Sequence, residues 1–328
     1  MNFGIIGTNF VSDSFMDGAA QIDECRVVAV CSGKRENAEK FAEKYGIPNV
    51  YSTYRQMLES GLVDAVYVAT PNSTHREIAG ESLKAKKHVF CEKPMASNYD
   101  EVLELIELAR ENGVYLHEGL FPLFSDNYKA IKNNIYRVGR IRQVTINMSQ
   151  YSRRYDAYLE GKNPTTFRSE LCNGATMDLG VYTMAICIDL FGAPLKTYSA
   201  AVLLDTGVDA SASAIFVYDG FTVNLAYSKV SDTANRFEIC GEDGILSIDH
   251  PTRIGDITFI PRCGGEVVQL CKPSKPGFYY EIAEMIRNIK ADKVESDSVP
   301  LGLSLDLHKA LTKCRLDSGV IFPADKNR

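Results

Sequence analysis

The stretch Met1-Asn2-Phe3-Gly4-Ile5-Ile6-Gly7-Thr8-Asn9-Phe10-Val11-Ser12 decides the fold. An apolar run, Phe3 to Ile6, passes directly into a glycine turn, and helical spacing follows. Further short β-branched runs stand at Arg26 to Cys31, Ala65 to Ala69 and His88 to Cys91. The segments between them have helical spacing. One carries Ala38, Phe41, Ala42 and Tyr45 and is closed by Gly46; another runs from Val102 through Ala109, closed by Asn112 and Gly113, with Ser97, Asn98 and Asp100 as candidate caps. Strands alternating with helices predict a parallel sheet with right-handed crossovers and both faces covered.

Past about residue 120 the period changes. Ile141 to Met148, Thr197 to Leu204, Ser211 to Val217, Thr222 to Ser228, Phe237 to Cys240 and Ile245 to Asp249 read as strands, most joined by short Gly, Asp or Asn turns. Helices are expected over Met177 to Leu190, Tyr280 to Ile289 and Leu303 to Leu316. The fold class is therefore α/β, a parallel-sheet domain followed by an α/β domain with a largely antiparallel open sheet. A length of 328 residues accommodates both.

Lys and Arg total 36 against 42 Asp and Glu, a formal charge of -6, which speaks against nucleic acid as a partner. No run of about 18 consecutive apolar residues suggests a membrane span. Nine scattered cysteines and an N-terminus without a basic, apolar leader point to a reducing, cytoplasmic setting. The five histidines are dispersed and no C-x2-C pair occurs, so no metal site is expected.

The turn Gly7-Thr8-Asn9-Phe10 lies where amide groups and a helix N-terminus hold a pyrophosphate, although Asn9 and Ser12 replace the second and third glycines of the usual fingerprint. Asn9 is expected to substitute by adopting left-handed backbone, and Ser12 by being small. A plain strand-to-helix turn remains open. The second strand ends in Ser32, Gly33, Lys34 and Arg35, with no acid for the ribose hydroxyls. A hydroxyl and two cations suit a 2'-phosphate, so NADP is expected over NAD, with solvated surface cations as the alternative. Thr70-Pro71-Asn72 with His75, and Glu92-Lys93-Pro94, close the next two expected strands on the ligand-binding edge of the sheet.

Together with Gly174-Ala175-Thr176-Met177-Asp178-Leu179-Gly180-Val181-Tyr182, these motifs resemble, in order and through essentially the whole chain, the Gfo/Idh/MocA family of oxidoreductases. Tyr182 stands where many members have histidine. In this the chain is similar to the branch containing dimeric dihydrodiol dehydrogenase and glucose-fructose oxidoreductase, as it is in Gly277 to Ile282 and Pro300-Leu301. The resemblance implies a Rossmann cofactor domain over 1–120 and a substrate-binding and oligomerisation domain over 121–328. It also implies hydride transfer between a nicotinamide and a hydroxyl or carbonyl carbon of a sugar, polyol or trans-diol. Tyr182 would then transfer the proton, Lys93 would support the alkoxide and favour a phenolate, and Asp178 would orient the substrate. Arg168 would approach the cofactor or substrate, or pair with Glu170. A homodimer or homotetramer through the C-terminal sheet follows from the same likeness. A non-catalytic NADP(H)-binding sensor is the competing reading.

Overall fold

β1 (Asn2–Ile6) lies inside a six-stranded sheet because its side chains are apolar on both faces. The computed structural model describes residues 1–275 and 277–326. In its first half come α1 (Phe10–Ala19), β2 (Arg26–Cys31), α2 (Arg35–Tyr45), β3 (Asn49–Tyr51), α3 (Tyr54–Glu59), β4 (Ala65–Val68), α4 (Asn72–Lys84), β5 (His88–Glu92), α5 (Tyr99–Asn112) and β6 (Leu116–Gly119). The sheet order is β3-β2-β1-β4-β5-β6, all parallel, so the order reverses beside β1 at the β1/β4 boundary. Gly46 and Gly113 end α2 and α5 in left-handed backbone, and Asn98 caps α5 by accepting from the Glu101 amide.

The two faces differ in chemistry. Phe3, Tyr67 and Phe90 point to one side, against Phe15 of α1 and Phe41 of α2. Ile6, Val66, Val68 and Cys91 point to the other, against Ile78, Leu83, Leu105 and Ile106 of α4 and α5.

After α6 (Asp126–Asn134) come β7 (Ile141–Ser149), α7 (Arg153–Leu159), α8 (Val181–Phe191), β8 (Lys196–Leu203), β9 (Asp209–Tyr218), β10 (Phe221–Ser228), β11 (Phe237–Gly241), β12 (Gly244–Ile248), β13 (Ile257–Pro261) and β14 (Val268–Gln269). They form a second sheet in the order β14-β13-β12-β11-β7-β10-β9-β8. Its pairs are antiparallel except β7 with β10. One face buries Val144, Ile146, Phe216, Val223, Leu225 and Phe237; the other leaves Tyr198, Val202 and Ile215 exposed. Ser169–Phe191 is long and apolar enough to cross a membrane, but 72% of its most apolar window is buried, as in a core helix.

The last helices are α9 (Gly277–Lys290) and α10 (Leu301–Asp317). The chain forms two compact units, one of Met1–Phe124 with Lys275–Leu305, the other of Ser125–Ser274 with the residues from Asp306 onward. A single cut after residue 120 would assign α9 to the second domain; instead its apolar face completes the first core. Phe278, Ile282, Met285 and Ile286 are buried there, and the Phe278 ring centroid lies 6.0 Å from those of Tyr67 and Phe90. α9 can sit this close to α1 because Gly18 has no side chain. A Cβ on Gly18 would lie 2.9 Å from Phe278 Cβ and from the Tyr279 amide nitrogen.

Gly18→Ala should therefore cost about 1–3 kcal/mol of overpacking against about 1 kcal/mol of helix propensity gained, a net loss in urea unfolding. Gly302→Ala, with open space around its Cβ position in α10, should leave stability unchanged or slightly raised. Equal stability of the two variants would contradict this packing.

Candidate active site

The turn after β1 is packed backbone against backbone. Gly7 has φ +103°, and a Cβ on it would stand 2.1 Å from the Ala69 carbonyl oxygen. Only glycine permits both. Asn9 departs from the left-handed conformation expected of it: its backbone is extended, with φ -96° and ψ -178°. The reason is capping. Its Oδ1 accepts from Val11 N at 2.9 Å and Ser12 N at 3.4 Å, and its Nδ2 donates to Ala69 O at 2.9 Å. Ser12 is buried and donates to Gly7 O at 2.9 Å. Thr8 Oγ1 donates to Ser32 Oγ at 3.1 Å, tying the turn to the end of β2. Phe10 is 75% exposed at the start of α1.

Beyond Ser32, Lys34 and Arg35 are exposed at the start of α2. Arg35 donates to Glu39 at 2.8 Å and to Ser52 Oγ at 2.9 Å. Because Arg35 and Glu39 are both more than half exposed, their pairing is weak and leaves the guanidinium available to another anion.

Thr70, Pro71 and Asn72 lead from β4 into α4, where Thr74 Oγ1 donates to Thr70 Oγ1 at 2.8 Å. His75 is 1% exposed. Its Nδ1 lies 2.9 Å from Pro94 O and its Nε2 2.9 Å from Thr70 O, so the ring sits between the loops after β4 and β5, and in its neutral form it donates to one of the two carbonyls. Burial pushes its pKa below the usual imidazole range. Lys93, half-buried, is joined to Pro94 by a cis peptide bond. Glu92 points inward. Tyr67 Oη donates to its Oε1 at 2.7 Å and the Lys93 amide to its Oε2 at 3.2 Å. His75 and Glu92 therefore act through the backbone they hold.

Beneath Glu92, Glu281 of α9 and His117 of β6 are fully buried, and among the described residues neither ring nitrogen of His117 nor either carboxyl oxygen of Glu281 has a hydrogen-bond partner. Burial pushes the Glu92 carboxyl up to about 7, Glu281 well above the usual range, with Glu92 and Glu284 adding to the rise, and His117 down to about 3.

In the second unit, Thr176–Gly180 form a π-helical turn that runs into α8, a distortion frequent at functional sites. Asp209 secures its start, its Oδ2 accepting from Thr176 N at 2.6 Å and Thr176 Oγ1 at 2.7 Å. Tyr227 packs its ring where a Cβ on Gly180 would be 2.9 Å away. Asp178 is partly exposed and ion-paired with Lys229, while Tyr182, one turn later, is 8% exposed. Arg168 donates to Asn163 O at 2.8 and 2.6 Å; no ion pair with Glu170 occurs among the described residues. Lys229, Asp209 and Tyr227 escaped the sequence reading. Lys229 carried a signal, since it continues the inward parity of Val223, Leu225 and Tyr227.

Family models describe residues 1–120 as an oxidoreductase family with an NAD-binding Rossmann fold and residues 134–247 as a GFO/IDH/MocA C-terminal domain. The scyllo-inositol 2-dehydrogenase (NADP(+)) of Bacillus subtilis is 38% identical over 327 residues, covering 99% of each chain. The chain belongs to the Gfo/Idh/MocA family. It is an NAD(P)-dependent oxidoreductase that moves hydride to or from a small polar substrate. Trans-1,2-dihydrobenzene-1,2-diol dehydrogenase of Mus musculus is 28% identical over 342 residues and 99% of each chain. In fold, the chain is similar to a 3-ketoreductase from Actinomadura kijaniata solved with NADP and TDP-benzene, at a TM-score of 0.87 and 21% identity, over 98% of this chain and 99% of that one.

The buried carboxyls make stability depend on pH. A folded-state carboxyl with a raised pKa keeps a proton that the unfolded chain has released, so stability is full below about pH 4.5 and falls as pH rises toward the folded value. Glu281→Gln removes this loss, and its stability relative to the parent should grow by up to about 1.4 kcal/mol per pH unit between pH 5 and 7 in urea unfolding. A pH-independent difference would show that Glu281 ionises freely.

Proposed function

We propose that the protein is an NADP(H)-dependent dehydrogenase or reductase acting at a secondary carbinol or ketone carbon of a polyol or related sugar, with Tyr182 as proton donor or acceptor. The observation that carries this is the pairing of a partly exposed carboxylate, Asp178, with a phenol one helical turn on, Tyr182, at a π-helical turn. The NADP(+)-dependent inositol relative supports the polyol class.

Bound NADP supplies the hydride donor or acceptor at the nicotinamide C4. The positive φ of Gly7 and the open space around Gly33 fit a backbone that a dinucleotide approaches closely. Gly7, Thr8, Asn9 and Phe10 would hold the pyrophosphate at the start of α1. Ser32, Lys34 and Arg35 would hold the 2'-phosphate, which the absence of an acid at the end of β2 favours. Thr70, Pro71 and Asn72, with Lys93 and Pro94, would border the remainder. Asp178 would orient the substrate hydroxyls. Tyr182 would take the carbinol proton in oxidation and return it in reduction, and the Lys93 ammonium would steady the alkoxide and favour the phenolate.

A second copy of the chain on the outer face of β8 and β9 would cover Tyr198, Val202 and Ile215 and give a dimer or tetramer. The nine cysteines form no disulfide among the described residues, which supports a cytoplasmic setting.

Following NADPH at 340 nm across sugars, polyols and trans-diols tests the activity. Tyr182→Phe and Lys93→Ala should each lower kcat by about 100-fold or more, a larger effect than either has on NADPH affinity. Binding of NADPH without turnover across the panel would make the protein a non-catalytic sensor. For the cofactor, Lys34→Ala/Arg35→Ala should weaken NADPH binding by about tenfold or more and leave NADH binding unaltered. Equal weakening of both would remove the 2'-phosphate site.

A further inference from the structure

Lys229 immediately follows β10 and is 7% exposed. A lysine this buried is rare unless paired. Its backbone is fixed from both sides: the Lys229 amide donates to Ala210 O at 2.9 Å, its carbonyl accepts from Ser152 N at 2.8 Å, and the preceding carbonyl of Ser228 accepts from Gln150 N at 2.9 Å. From this anchor the side chain continues the inward parity of Val223, Leu225 and Tyr227 and meets Asp178 Oδ2. The Lys229 side chain is 9% exposed and that of Asp178 39%. The cation is therefore the more buried partner and the carboxylate the more exposed one.

The same strand end holds the rest of the turn. The Tyr227 ring fills the space over Gly180, and Thr176 Oγ1 donates to Asp209 Oδ2 at 2.7 Å and lies 3.3 Å from the Tyr227 hydroxyl. Asp209 and Tyr227 are thus the titratable groups that the two neighbouring strands turn toward Thr176, while Lys229 is the cation paired with Asp178.

We propose that Lys229 is a positioning residue of the oxidoreductase, fixing Asp178 in one orientation and cancelling its negative charge beside Tyr182. The proposal rests on the assignment of Tyr182 as the group that transfers the proton. An uncompensated Asp178 carboxylate would hold the Tyr182 phenol protonated to higher pH and would itself take up a proton more readily. Lysine supplies what the site requires, a compact charge on a long apolar stem that lies along the buried strand end.

The test is a double-mutant cycle of Lys229→Met and Asp178→Asn on the full chain with NADP and the polyol that the parent oxidises best. Lys229→Met alone should lower kcat by about tenfold, move the alkaline-rising limb of the rate profile up by about one pH unit, and leave NADPH affinity unchanged. Lys229→Arg should restore the limb in part. In the Asp178→Asn background Lys229→Met should cost little more, because the charge it compensates has gone. A parental profile in Lys229→Met, or the same loss in both backgrounds, overturns the proposal. If Lys229→Met fails to fold while the double variant folds, the pairing is confirmed; failure of both overturns it in favour of a packing role. Should the parent turn over nothing, the functional assignment fails separately, and carboxyl-13C aspartate NMR decides. The Asp178 signal, identified by its loss in Asp178→Asn, should titrate about one unit higher in Lys229→Met, and an unmoved midpoint overturns the proposal.

Discussion

The main chain of Gly7 rests directly on the carbonyl of Ala69, and the first unit is arranged around that contact. It brings the carboxyl ends of β1 and β4 together where the strand order reverses, which in open parallel sheets is the place a ligand enters. With no room for a side chain at Gly7, the next polar side chain does the bonding. Asn9 closes the helix start with its oxygen and holds Ala69 with its nitrogen. One loop on, His75 stands between the carbonyls of Thr70 and Pro94, each 2.9 Å from a ring nitrogen. Buried polar side chains fix backbone at the strand ends, and Phe10, Lys34 and Arg35 are left exposed.

The second unit uses the same economy with charge. Asp209 and Lys229 are buried and each meets one end or the middle of a short π-helical turn, Asp209 at Thr176 and Lys229 at Asp178. The first amides of a helix have no partner within it, and here a carboxylate takes up the Thr176 amide. Asp209 therefore holds the backbone and Lys229 the Asp178 carboxylate, and the groups proposed to do the chemistry, Asp178 and Tyr182, stand on the frame they make.

Much of this was legible. Runs of β-branched residues mark β1, β2, β4 and β5, and alternation marks β7 through β12, because each has a buried face that the sequence must spell in apolar letters. β6 was hidden, since Leu116-His117-Glu118-Gly119 buries two ionisable side chains that pattern reading places at the surface. β3, β13 and β14 were hidden by brevity or mixed burial. The place of α9 was not readable, because an amphipathic helix announces that it has a face and not which sheet receives it. At the site, the motif residues stood out by their spacing, but the cap that Asn9 makes and the place of the His75 ring between two carbonyls came only with the fold. Asp209 gave no signal at all, being an acid whose partner lies 33 residues away in sequence.

What both units serve is the direct passage of hydride between a carbinol carbon and the nicotinamide. Incubating the protein with NADP and a sugar, polyol or diol that it oxidises, deuterated on its carbinol carbons, and then examining the NADPH by NMR follows that transfer. Deuterium at C4 of the nicotinamide, on one face only, is the predicted result. NADPH carrying only protium from solvent at C4 would rule out direct transfer, as would no NADPH formed from any polyol, sugar or diol.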